Sequence, residues 1–221
     1  MVWYHTILPT TNHPLRYALD WYRYHHTIPT THRHMSKQAL QKTASERSGV
    51  SHDESTQAEF MQPSIYERIG EAGLQELSTR FYDKVFADKD AAWFLNIFSS
   101  STRAEAIENQ YLFFVQTFGG PPLYQEKKGK YTRLVGRHAN YGIGERAAGR
   151  WIEHMISAMD EHSEISKDTE TREKLEKYFR FTAHYIVAAM EYMRPDQVGS
   201  PAAAFSWAVP ATGCFLMSTH H

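Results

Sequence analysis

The sequence predicts an all-α domain, and three observations carry that prediction. Apolar residues recur at the spacing of one helix face in four segments, Ser/Thr-x-x-Glu capping boxes open two of them, and no stretch alternates with the period of a strand. The boundaries expected are an N-terminal extension over 1–59, largely disordered, a helical domain over 60–195, and a disordered tail over 196–221.

Residues 1 to 34 hold six histidines, six threonines and a single acid, Asp20, with no apolar period. No fold is expected there. Two readings stand open for this stretch: an acid-poor targeting segment, and a natural start at Met35, where the composition turns abruptly to Ser, Lys, Gln and Glu. The first long helix opens with Ser64 and Glu67 as a capping box, and Leu74, Leu77, Phe81, Tyr82, Val85 and Phe86 then mark its buried face. Thr102 and Glu105 open the second, whose stripe is Ile107, Gln110, Tyr111, Phe114 and Phe118. Gly119-Gly120-Pro121-Pro122 stops it, because glycine tolerates the left-handed region and proline cannot continue a helix.

The third helix carries Ala148, Trp151, Ile152, Met155, Ile156 and Met159, and the fourth Leu175, Tyr178, Phe179, Thr182, Ile186, Met190 and Met193. Between the second and third, Lys127 to Gly144 has four glycines and no period, so a loop with at most one short helix is expected, holding His138. Gln197 to Thr219 lacks Asp, Glu, Lys and Arg, but Pro201, Pro210 and Gly213 argue against a spanning helix there.

Charge and cysteine usage narrow the function. With 24 basic and 25 acidic side chains the net charge is −1, so no global field draws the chain to nucleic acid or acidic lipid, and neither is expected as a partner. Cys214 is the only cysteine, which excludes an internal disulfide and a thiolate metal site and fits a reducing compartment. Aromatic residues make up 14% of the chain and gather in its middle, as a dense core or a flat apolar guest would require.

A metal-binding histidine must face the interior. At about 100° per residue, His154 and His184 fall away from the apolar stripes of their helices and are expected at the surface. His138 instead lies in the glycine-rich connection, beside Arg137, a partner for an anionic group. A loop histidine alone is more often structural than a ligand. The chain offers no His-x-x-x-His pair, cysteine pair or one-faced carboxylate cluster, so zinc and di-iron sites are poorly supported. Haem needs only one protein ligand.

Phe81-Tyr82, Gln110, Phe118-Gly119-Gly120-Pro121-Pro122-Leu123-Tyr124, Arg137-His138 and Trp151-Ile152-Glu153-His154-Met155 together resemble the truncated haemoglobins, most closely their second group and its plant and algal members. The resemblance runs from Ser64 to Met193. It implies a two-over-two helical sandwich around haem b, with His138 as the proximal iron ligand and Arg137 paired with a haem propionate. Phe98, Phe81, Phe113, Phe114, Tyr124, Tyr141 and Met155 would line the cofactor pocket. Tyr82, Gln110 and Trp151 would be distal donors, with Ala106 leaving the access route open. The chain departs from the family pattern at Ala139-Asn140-Tyr141, where proline and phenylalanine are frequent.

The implied function is reversible binding of O2, with CO and NO as further ligands. The alternative is NO dioxygenation or a peroxidase-like reaction at the same iron, which needs a separate reductase because the chain has no flavin or nicotinamide fingerprint. A third reading is a helical interaction module that has lost the haem. A homodimer is common in the family, and a cytoplasmic location is expected, with an organelle left open by residues 1 to 34.

Overall fold

The computed structural model describes residues 36–99, 101–129, 134–138 and 141–193, apart from the Arg137 side chain. In chain order they form α1 (Lys37–Ser48), α2 (His52–Thr56), α3 (Ile65–Ala87), α4 (Ala92–Leu95), a 3-10 turn (Asn96–Phe98), α5 (Arg103–Thr117), α6 (Leu123–Lys128), α7 (Leu134–His138), α8 (Glu145–Asp160) and α9 (Thr169–Met193). Among the described residues there is no strand.

The four long helices form two pairs: α3 lies along α5, α8 along α9, and α3 also packs on α8. Their shared core takes Leu74, Leu77, Phe81 and Val85 from α3, Phe114 and Val115 from α5, Met155 and Met159 from α8, and Leu175 and Phe179 from α9. All of these but Val115 stand on the stripes read from the sequence, whereas Phe86, expected on the buried face of α3, is exposed near the end of that helix; each fully buried large side chain stabilises the fold by about 1.5–3 kcal/mol.

Both capping boxes form. Ser64 Oγ accepts from Glu67 N–H at 3.1 Å while Glu67 Oε2 accepts from Ser64 N–H at 2.7 Å. Thr102 and Glu105 repeat the exchange at 3.2 and 2.8 Å. The glycine pair after α5 has two tasks. Gly119 takes φ +94°, ending the helix, and a Cβ on it would lie 2.6 Å from Ser64 Cβ. A Cβ on Gly120 would meet Tyr66 Cδ2 at 2.6 Å, and Tyr66 N–H donates to Phe118 C=O at 3.0 Å. The end of α5 is thus docked on the start of α3, which fixes the first helix pair.

Two expectations need correction. The sequence places residues 36–59 within a largely disordered extension over 1–59, yet 37–48 and 52–56 are helices packed on α9. Leu40 and Ala44 of α1 are buried against a cluster that includes Phe181, Tyr185 and Ala189, and Arg47 bonds to both Glu145 and Glu191 at 2.7 Å. The first long helix is also not continuous: Gly70, at φ 68° and ψ −179°, interrupts it with a conformation open only to glycine. His138 is the last residue of α7, the one short helix that the glycine-rich connection is expected to allow. The N-terminal readings at 1–35 and the tail at 196–221 lie outside the described residues.

Candidate functional site

The predicted distal residues come from three different helices. Phe81 and Tyr82 stand on the buried face of α3, Gln110 on α5 and Trp151 on α8. The Phe81 ring is 4.9 Å from that of Tyr82 and 5.3 Å from that of Trp151. Phe98, in the 3-10 turn, meets Tyr82 edge-on at 5.6 Å. Tyr82 is only 7% exposed, and burial pushes its hydroxyl pKa well above the ordinary tyrosine range. Its oxygen therefore keeps its proton, and stays a donor, at every physiological pH.

Gln110 is half-buried on the helix that packs along α3. Its Oε1 is shut off from solvent and has no hydrogen-bond partner. An orphaned amide oxygen costs the fold about 1–3 kcal/mol, so its place in the interior asks for a compensating role. Ala106, one turn earlier on the same face of α5, is buried.

His138 is half-buried at the end of α7, which packs on α9. Its Nδ1 lies 2.7 Å from Leu134 C=O. A carbonyl only accepts, so Nδ1 carries the proton and the lone pair of the neutral ring is on Nε2. That is the tautomer and the pinned orientation of a histidine that ligates through Nε2. The residues present therefore fit a haem iron ligand on α7 together with polar groups on α3, α5 and α8.

The remaining expected pocket residues are dispersed. Phe114 is buried between Phe118 and Phe179, and Met155 is fully buried in the main core. Phe113 meets Tyr124 edge-on at 5.8 Å, in a small cluster with Leu112 between α5 and α6. Tyr141 is half-buried after α7. Residues 139 and 140 and the Arg137 side chain lie outside the described residues.

His154 and His184 are not at the surface as expected. His154 is 12% exposed, with Nε2 at 2.8 Å from Asp88 Oδ2, and His184 Nδ1 lies 2.9 Å from Glu145 Oε2. Sorting them by the apolar stripe of their own helix misses partners supplied by other elements. His162 was not singled out from the sequence and is completely buried. Its Nε2 donates to Gly73 C=O and its Nδ1 accepts from the N–H groups of Glu164 and Ile165, a structural role in the α8–α9 turn.

Four long helices in two packed pairs, with a pinned histidine on a short helix beside them, define a globin of the two-over-two kind. A profile of the bacterial-like globin family matches residues 64–185. The chain is 42% identical over 160 residues to two-on-two hemoglobin-3 of Arabidopsis thaliana, across 72% of this chain and 88% of that protein. It is 41% identical over 154 residues to group 2 truncated hemoglobin 3-1 of Lotus japonicus, across 70% and 88%. The solved structure of a thermostable hemoglobin from Thermobifida fusca matches with a TM-score of 0.50 at 31% identity, across 56% of this chain and 96% of that one. The chain belongs to the bacterial-like globins, as a truncated haemoglobin of the second group. Membership implies a haem cofactor and a gas ligand such as O2.

Proposed function

We propose that the chain holds haem b through His138 Nε2 and binds O2 reversibly, with CO and NO as further ligands, and that Tyr82, Gln110 and Trp151 donate hydrogen bonds to the bound gas. The carrying observation is the 2.7 Å contact between His138 Nδ1 and Leu134 C=O, which leaves the ring's lone pair on Nε2. Haem supplies a ferrous iron that takes a diatomic gas reversibly.

The chain's own residues set how long the gas stays. Tyr82 offers an O–H that burial keeps protonated, Trp151 an indole N–H and Gln110 an amide. Each such bond is worth about 1–3 kcal/mol in a buried site, so their sum slows release and favours a polar gas such as O2 over CO. Phe81 and Phe98 flank Tyr82 and limit water around it. Arg137 is placed in sequence to neutralise a propionate.

The test is haem titration of the purified chain, followed by ferric, ferrous and CO spectra. His138→Ala is expected to lose the histidine-ligated spectrum. Trp151→Phe is expected to keep haem and release O2 at a changed rate. A His138→Ala protein with unaltered spectra contradicts the ligand assignment.

A further inference from the structure

One carboxylate ties together the elements that carry the proposed distal residues. Asp88 directly follows α3, and its side chain is only 4% exposed. Its Oδ2 accepts from Arg150 Nε at 2.7 Å and from His154 Nε2 at 2.8 Å, both on α8 and one turn apart. Its Oδ1 accepts from Ala91 N–H at 3.1 Å, tying down the turn that leads into α4.

Both partners on α8 sit close to Trp151: Arg150 is its neighbour in sequence, and His154 follows three residues later. The His154 ring also lies 5.8 Å from Phe94, which is 5.3 Å from Phe98, which in turn meets Tyr82. The route from Asp88 therefore reaches Trp151 through α8 and Tyr82 through Phe94 and Phe98. With Phe81 between Tyr82 and Trp151, the circuit closes.

We infer that Asp88 and His154 are positioning residues for gas retention: by fixing α8 against the end of α3, they hold the Trp151 indole in register with Tyr82. This rests on the proposed distal roles of those two side chains. Neither Asp88 nor His154 touches the gas. A buried charged hydrogen bond suits the task because it is short, directional and costly to leave unpaired, whereas apolar contacts along α3 and α8 permit small slides.

The experiment uses the haem-loaded full chain and measures O2 dissociation by stopped flow, with the C–O stretching band of the CO form as a readout of the field at the ligand. His154→Leu removes the donor to Asp88 while Arg150 still neutralises it. It is expected to change O2 release about tenfold, as sub-ångström misplacement of a working group does, and to broaden or shift the C–O band. His154→Gln keeps a side-chain N–H and is expected to stay within about twofold of the wild type. In the Trp151→Phe background, His154→Leu is expected to add nothing, because the group it positions is gone.

Asp88→Asn, which keeps an acceptor for Ala91 N–H, serves if His154→Leu does not fold. It is expected to give the same tenfold change and C–O shift. Wild-type release and an unshifted C–O band in haem-loaded His154→Leu or Asp88→Asn overturn the inference, and so does an effect that simply adds to that of Trp151→Phe. A wild-type chain that takes up no haem overturns the functional reading itself, a result distinguishable by its missing haem absorbance.

Discussion

Gln110 is where the demands of folding and of gas binding separate most cleanly at a single residue. Its unpartnered Oε1 is a burden on the haem-free fold. Gln110→Leu is therefore expected to stabilise the haem-free protein by about 1 kcal/mol in urea unfolding while speeding O2 release from the loaded form. Loss of stability together with unchanged release would show that the amide is only a core polar group. Gly119 is the opposite kind of residue, fixed by sterics alone. With φ +94° and a virtual Cβ 2.6 Å from Ser64, Gly119→Ala is expected to cost about 1–3 kcal/mol, read from the same unfolding curves.

The candidate site was partly legible at this scale. Tyr82, Gln110 and Trp151 stood on stripes that periodicity exposes, and Gln110 was conspicuous as an amide among apolar residues. Asp88 was not legible, because nothing in Ala-Asp-Lys-Asp announces a buried carboxylate whose partners lie over sixty residues away.

At the scale of elements, the helices with local signals were readable and those held by tertiary contact were not. Capping boxes at Ser64 and Thr102 and the double glycine after α5 each state a boundary in three or four residues. α1 does carry end signals, a Ser36 cap accepting from Ala39 N–H and Gly49 at φ 70°, but its buried stripe is only Leu40 and Ala44. A helix with so little apolar face draws its stability from what it lands on. That landing is substantial: α1 and α2 pack on α9, with Lys177 paired to Glu54 at 2.9 Å besides the Arg47 bridges. Removing residues 1–56 is expected to lower stability by about 3 kcal/mol, from the burial lost, and to leave the haem spectrum intact. A truncated chain with unchanged thermal midpoint would mean that α1 and α2 add nothing to the fold. The break at Gly70 escaped the sequence reading because glycine is tolerated inside a helical pattern, so the residue alone does not disclose a positive φ.

Across the whole molecule the net charge is near zero at neutral pH, so the first loss of stability on acidification is expected from individual carboxylates with lowered pKa values. The hydrogen bond from Arg150, aided by that from His154, holds Asp88 well below the usual carboxylate range against the opposing effect of burial. Burial alone would raise Glu76, but bonds from Ser163 and Arg80 outweigh it and hold it at about 2. In the unfolded chain both would take up protons near pH 4. A depressed folded pKa contributes stability that is fully present above the unfolded value and is lost as pH falls through the folded one. Thermal midpoints are therefore expected to hold at neutral pH and to fall progressively between about pH 5 and pH 2. Glu76→Gln is expected to lower the neutral midpoint and flatten that decline; an equally steep decline in the variant would remove Glu76 from the explanation. Among the described residues no helix is long and apolar enough to cross a membrane.

The fold as a whole follows from two docked helix pairs, and the proposed chemistry depends on the histidine carried beside them. The most direct measurement is the resonance Raman spectrum of the ferrous, gas-free protein, which reports an iron–histidine stretch. The wild type is expected to show that band, His138→Gly to lose it, and added imidazole to restore it by entering the vacated space. A band that persists in His138→Gly without imidazole would mean that another residue holds the iron, and would contradict the assignment on which the proposed function stands.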